Sequence, residues 1–181
     1  MFTERQQQML VEIARAAVAA VVSGRPAGGA SAGTTVTMPQ ASGAFVTLKR
    51  AGQLRGCIGT LECRLPLAEE IARVAVSAAM ADPRFAPLSP AELDGLDVEV
   101  SVLGPLEAID PADPAAVVIG RHGLVVEQGD RRGLLLPQVA TERGWDREQF
   151  LAQTCVKAGL PADGWRRGAK VYRFAAEVFG G

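Results

Sequence analysis

With one histidine, one tyrosine and two tryptophans in 181 residues, the chain is poor in the side chains that bind metals and stack on bases. A lone histidine rules out, within one chain, any metal site built on two or more histidines. Aromatics make up only 5 %, and the formal charge is −1, which argues against nucleic acid as a partner. Single-strand recognition needs exposed aromatic platforms beside basic charge. No apolar run approaches the ~20 residues that a membrane span requires. The opening "MFTERQQQML" lacks a basic segment followed by an apolar one, so no secretory signal is read there. The three cysteines form no CxxC pair and no disulfide framework, which points to a reduced, cytoplasmic protein with free thiols.

What is present is an ordinary globular balance, 48 % hydrophobic and 22 % charged, enough for one domain with a substantial core. Leu10, Ile13, Ala14, Ala17, Val18 and Val21 recur at helical spacing, and Thr3 with Gln6 makes a capping box, so the spacing predicts a helix near residues 4–22. "GRPAGGASAGT", residues 24–34, reads as a flexible connector. "GAFVTLKR" reads as a strand. A helix follows near residues 67–80, with Leu67, Ile71, Val74 and Ala78 on its buried stripe and Asp82-Pro83 at its end. "LDVEVSVLGP" alternates, with Val98, Val100 and Val102 on one face and Glu99 on the other. Short strands follow, broken by glycines, with a turn at Gly129-Asp130. A third helix runs near residues 146–158, capped by Asp146 and Gln149. The last strand is "KVYRFAAEVF", with Tyr172, Phe174, Ala176 and Val178 expected on one face. No regular βαβ rhythm emerges, which favours an α+β fold with a mainly antiparallel sheet flanked by helices.

Chemistry concentrates in "GQLRGCIGTLE", residues 52–62. Gly56 and Gly59 flank Cys57 and Ile58, and Arg55 stands two positions ahead of the thiol. Read as a tight turn, the segment could take positive φ and turn successive N–H groups toward an anion. Arg55 would then favour a thiolate or hold a carboxylate or phosphate. Cys57 would be the nucleophile, with Gly56, Ile58 and Gly59 offering backbone to the substrate. The opposite reading is equally physical: free cysteine is among the most buried residue types, and glycine turns are common.

His122, in "GRHGL", is either the general acid–base for Cys57 or a structural residue bonding to backbone at a turn. Glu99 is a solvated strand carboxylate or one that orients His122 or Arg55. Gln138, just after Pro137, binds substrate or serves a turn or a helix cap. Arg84 and Phe85 in "ADPRF" read as a structural exit from the second helix. A Cys₃His zinc site would need Cys57, Cys63, Cys155 and His122 to converge, and the six-residue spacing of the first pair does not suit it. Cys155 fits the core. The residues call for no metal and no cofactor.

"LRGCIGT", "DPRFAPLSPAEL", "VEVSVLGP", "IGRHGL" and "GLLLPQVATERGWDREQFLAQTCVKAGL", with Trp165 beyond them, together resemble the AMMECR domain family, in order along nearly the whole chain. The resemblance implies a single domain over residues 1–181, with a larger and a smaller lobe and a cleft beside LRGCIG. A stand-alone copy is similar to the form found in the bacterial and archaeal AmmeMemoRadiSam system, which implies a Memo-like protein and a radical-SAM enzyme as partners. Two function classes follow. One is a cysteine-dependent enzyme, or enzyme component, acting on a small anionic or carbonyl-bearing metabolite. The other is a non-catalytic accessory domain that binds a protein partner, nucleotide or RNA. The chain has no radical-SAM cysteine triplet, so radical chemistry would belong to the partner.

Overall fold

The computed structural model describes residues 1–26 and 36–181, so most of the connector expected over residues 24–34 lies outside the described residues. The fold is α+β, and its chain contacts divide into two compact units. The first comprises Met1–Leu103 with Glu177–Gly181, the second Gly104–Ala176. No helix among the described residues is long and apolar enough to cross a membrane.

In the first unit, helix α1 (Glu4–Val22) starts from the expected box: the Thr3 side chain accepts the Gln6 N–H, and the Gln6 side chain accepts the Thr3 N–H. Strands β1 (Gly43–Arg50) and β2 (Gln53–Thr60) form a hairpin, and β3 (Leu96–Leu103) pairs with the other side of β1, all antiparallel. Helix α2 (Leu67–Met80) spans the expected residues. Leu10 and Val18 of α1, Ile71 and Val74 of α2, and Val46, Leu48, Val98 and Val100 of the sheet are buried in one cluster. The period-two alternation of β1 and β3 therefore sends their aliphatic residues to the helices. Phe45, Thr47 and Lys49 point to the opposite face, as does Glu99, which is the side expected for it.

The second unit contains β4 (Glu107–Ile109), β5 (His122–Gln128), β6 (Arg131–Leu135), helix α3 (Pro137–Arg143), helix α4 (Arg147–Lys157) and most of β7 (Lys170–Gly180). β7 lies between β4 and β5, antiparallel to both, and β6 pairs with the far side of β5. The last strand thus sits inside the pairing. Gly129 turns the β5–β6 hairpin with φ of 61°. Phe150, Leu151 and Cys155 of α4 pack with Leu124, Val126 and Trp165 in a second buried cluster, which confirms Cys155 as core filling.

Two expectations change. LRGCIGT is not a turn: it is the body of β2, and neither Gly56 nor Gly59 has positive φ. The turn lies earlier, at Ala51 and Gly52 (φ of 51° and 75°), between the paired residues Arg50 and Gln53. This two-residue loop with both φ positive is the hairpin connection that matches strand twist. The glycines are there for space. A Cβ on Gly56 would stand 2.3 Å from the Ala78 carbonyl oxygen of α2, and one on Gly59 2.2 Å from the Phe45 ring. In β7, Val178 is exposed while Val171, Phe174 and Phe179 are buried, so one alternating face does not run the length of the strand. Its two ends serve different cores: Val171 belongs to the cluster of the second unit and Phe179 to that of the first.

Candidate functional site

β2 is an edge strand, and an edge strand presents unpaired N–H and C=O groups along its open side. At Cys57 the open side is closed by side chains from the segment after α2. Asp82 Oδ2 accepts the Cys57 N–H at 2.9 Å. Arg84 Nη2 reaches the Cys57 carbonyl at 3.4 Å. Asp82 and Arg84 are joined to each other by a fork, Nε to Oδ1 at 3.1 Å and Nη2 to Oδ2 at 2.9 Å. Together they imitate a neighbouring strand for one residue. The Arg84 N–H also bonds Oδ1, at 3.0 Å, which folds the Asp-Pro-Arg corner back on itself.

Asp82 is buried, only 4 % exposed, so its charge needs these partners. The Arg84 side chain and the Cys57 amide outweigh burial and hold its carboxyl far below the usual carboxylate range. The same bond to Asp82 raises Arg84.

Arg55 is likewise held by a carboxylate. Glu92, in a short 3-10 turn at Pro90–Glu92, accepts from Arg55 Nε at 2.8 Å and from Nη2 at 3.2 Å. Arg55 brings Glu92 down to about 2, helped by the Ser89 amide. The guanidinium carbons of Arg55 and Arg84 lie 5.8 and 5.5 Å from the centre of the Phe85 ring. Phe85 is thus half-buried beside two cations.

The thiol itself points to the face of the sheet away from α1 and α2. Cys57 is half-buried, with Thr47 Oγ1 at 3.2 Å from Sγ. Thr47 is opposite Cys57 on one side and opposite Glu99 on the other. Cys57, Thr47 and Glu99 therefore form one cross-strand row, whose directly opposite neighbours interact side by side. Lys49 Nζ bonds Glu99 at 2.6 Å. Thiol, hydroxyl, carboxylate and ammonium stand in sequence on one face.

His122 and Gln138 belong to the second unit. His122 opens β5 and is buried. Its Nδ1 accepts the Val118 N–H at 3.0 Å, and the His122 backbone N–H donates to the Val118 carbonyl at 3.0 Å. This is the turn-closing geometry of the structural reading. Burial, with Arg173 and Arg121 nearby, lowers its pKa. Gln138 is exposed in the first turn of α3.

The other thiols differ from Cys57. Burial, then Glu70, pushes Cys63 up, and burial pushes Cys155 up. Among the described residues no group of three or more His, Cys, Asp or Glu could hold a metal ion.

Sequence reading missed Asp82, Glu92, Thr47 and Lys49. Asp82 and Glu92 carried a local signal, a carboxylate in a proline corner and a Ser-x-x-Glu box, but their partners lie 25 and 37 positions away in sequence. Thr47 and Lys49 became visible only with strand register.

A family model described as AMMECR1 matches residues 11–179. A protein of Methanothermobacter thermautotrophicus is 55 % identical over 145 residues, covering 77 % of this chain and 76 % of its own. Protein TK0174 of Thermococcus kodakarensis is 47 % identical over 181 residues, covering 95 % of this chain and 88 % of its own. The crystal structure of uncharacterized protein PH0010 from Pyrococcus horikoshii superposes with a TM-score of 0.80 at 43 % identity, covering 99 % of this chain and 93 % of that one.

Proposed function

The chain belongs to the AMMECR1 family, and on that premise we propose that it is a cysteine-dependent enzyme, or the thiol-bearing component of one, acting on a small anionic or carbonyl-bearing metabolite. The observation that carries this reading is the row on the sheet face: a half-buried Cys57 thiol against the Thr47 hydroxyl, in register with Glu99 and its Lys49 partner. Cys57 acts as nucleophile or proton donor. Thr47 and Glu99 supply the path by which its proton leaves, and Lys49 holds Glu99 in place through its ion pair. His122 is the rival acid–base group, and it acts first as a proton donor through Nε2–H, because its Nδ1 lone pair already accepts a backbone N–H and the neutral ring then carries its proton on Nε2. The whole chain works as one functional domain, in the cytoplasm, with the Memo-like and radical-SAM partners that the family resemblance implies.

A non-catalytic binding domain is the second reading. It is favoured by the saturation of the motif: Arg55 and Arg84 each hold a carboxylate, and the Cys57 amide and carbonyl are both occupied.

Alkylation of the native protein with iodoacetamide at neutral pH, mapped by mass spectrometry, tests the first reading. Cys57 is expected to react before Cys63 and Cys155, and Thr47→Val to alter its rate and pH profile. If Cys57 reacts only after denaturation, the catalytic reading is lost and the binding reading stands. If His122→Ala rather than Thr47→Val changes the pH profile, His122 is the acid–base partner of the thiol. Metabolite capture on wild type against Cys57→Ala then identifies the ligand.

A further inference from the structure

We propose that Arg84 is the residue that selects substrate at Cys57, and that it selects for a carboxylate beside the reacting carbon. This rests on the reading of Cys57 as a reactive thiol. Arg55 was the obvious candidate from sequence, but its side chain is only 17 % exposed and grips Glu92 with two nitrogens. The Arg84 side chain is 55 % exposed. Asp82 fixes its Nε and Nη2, the Cys57 carbonyl takes a further bond from Nη2, and the Phe85 ring lies 5.5 Å from its carbon. Among the described residues Nη1 has no partner, so its two N–H groups remain for a ligand.

A guanidinium bonded to the carbonyl of the residue that carries the thiol lies within about 8 Å of that thiol by covalent geometry. That is comparable to the Debye length at physiological salt and well inside it at low salt. A planar guanidinium already locked by a buried carboxylate loses little freedom when an anion binds, and its N–H donors suit carboxylate oxygens. Asp82 and Phe85 are then positioning residues for Arg84.

The test uses two reagents that differ in charge and little else. Iodoacetate and iodoacetamide both lose iodide to the thiolate, so the thiolate fraction cancels in the ratio of their rates. The ratio at Cys57 is measured on the full chain by mass mapping, with 2-mercaptoethanol as the reference thiol. At low salt the ratio at Cys57 should exceed the reference by about threefold or more, and it should fall toward the reference as salt rises. Arg84→Gln should abolish the excess, Arg84→Lys should restore much of it, and Arg55→Gln should leave it in place. An unchanged excess in Arg84→Gln, or its loss in Arg55→Gln instead, overturns the assignment while leaving Cys57 reactive. If neither reagent alkylates native Cys57, the thiol reading fails and takes this inference with it. Should Arg84→Gln not fold, a wild-type ratio no greater than the reference, or one insensitive to salt, overturns the proposal. An excess retained in Arg84→Lys sustains it.

Discussion

Asp82 and Cys57 are joined through the backbone and not through the thiol: the buried carboxylate accepts the Cys57 N–H at 2.9 Å and leaves Sγ to Thr47. An edge strand is thereby held in place by a side chain from the corner after α2.

Asp82→Ala should destabilise the protein by about 1–3 kcal/mol, because the half-buried Cys57 amide loses its acceptor. The same residue sets an acid limit. The folded state depresses its pKa, so its contribution is full above the unfolded value near 4 and is lost as pH falls through the lower folded value. Urea midpoints of wild type and Asp82→Asn should therefore converge as pH is lowered from about 6 to about 2. A difference that stays constant with pH would show that Asp82 is not the group responsible.

His122 titrates with the same sign in a different window. Its folded pKa is lowered by burial, so the fold favours the neutral ring that accepts the Val118 N–H. Stability should be full above the ordinary histidine value of about 6.5 and should decline as pH falls below it. His122→Gln should remove that segment of the pH–stability curve. A curve unchanged between about pH 7 and about pH 5 would refute the assignment.

Gly56→Ala should cost on the order of 1–3 kcal/mol by overpacking, since its Cβ meets a backbone oxygen of α2 that has no rotamer to escape to. The expected signature is a lower urea midpoint together with a changed Cys57 alkylation rate, because β2 must shift. If stability is unaffected, α2 does not sit this close to the strand.

Ala51→Gly should stabilise the protein. Ala51 is exposed and has a φ of 51°, a conformation that costs an L-residue roughly 1 kcal/mol and glycine almost nothing. Thermal midpoints of the two variants decide it, and a lower midpoint for the glycine variant would mean that the hairpin turn is not of this type.

The sequence by itself determined those features whose cause is local. The capping boxes at Thr3 and Asp146 and the buried stripes of α1 and α2 were legible because helix geometry repeats every 3.6 residues within one segment. The alternation that turned Glu99 away from the valines was legible for the same reason, and so was the family. Gly56 and Gly59 misled. A glycine that permits positive φ and a glycine that permits close approach look the same in sequence, and only the neighbours Ala78 and Phe45 distinguish them. Tertiary structure alone decided the site. Register placed Thr47 between Cys57 and Glu99, and the chain's return placed Asp82 and Arg84 on the open edge of β2 and Glu92 on Arg55. These pairings join residues 10 to 52 positions apart. Strand pairing and electrostatic complementarity across such separations carry no periodic trace along the chain, so no local pattern could have announced them.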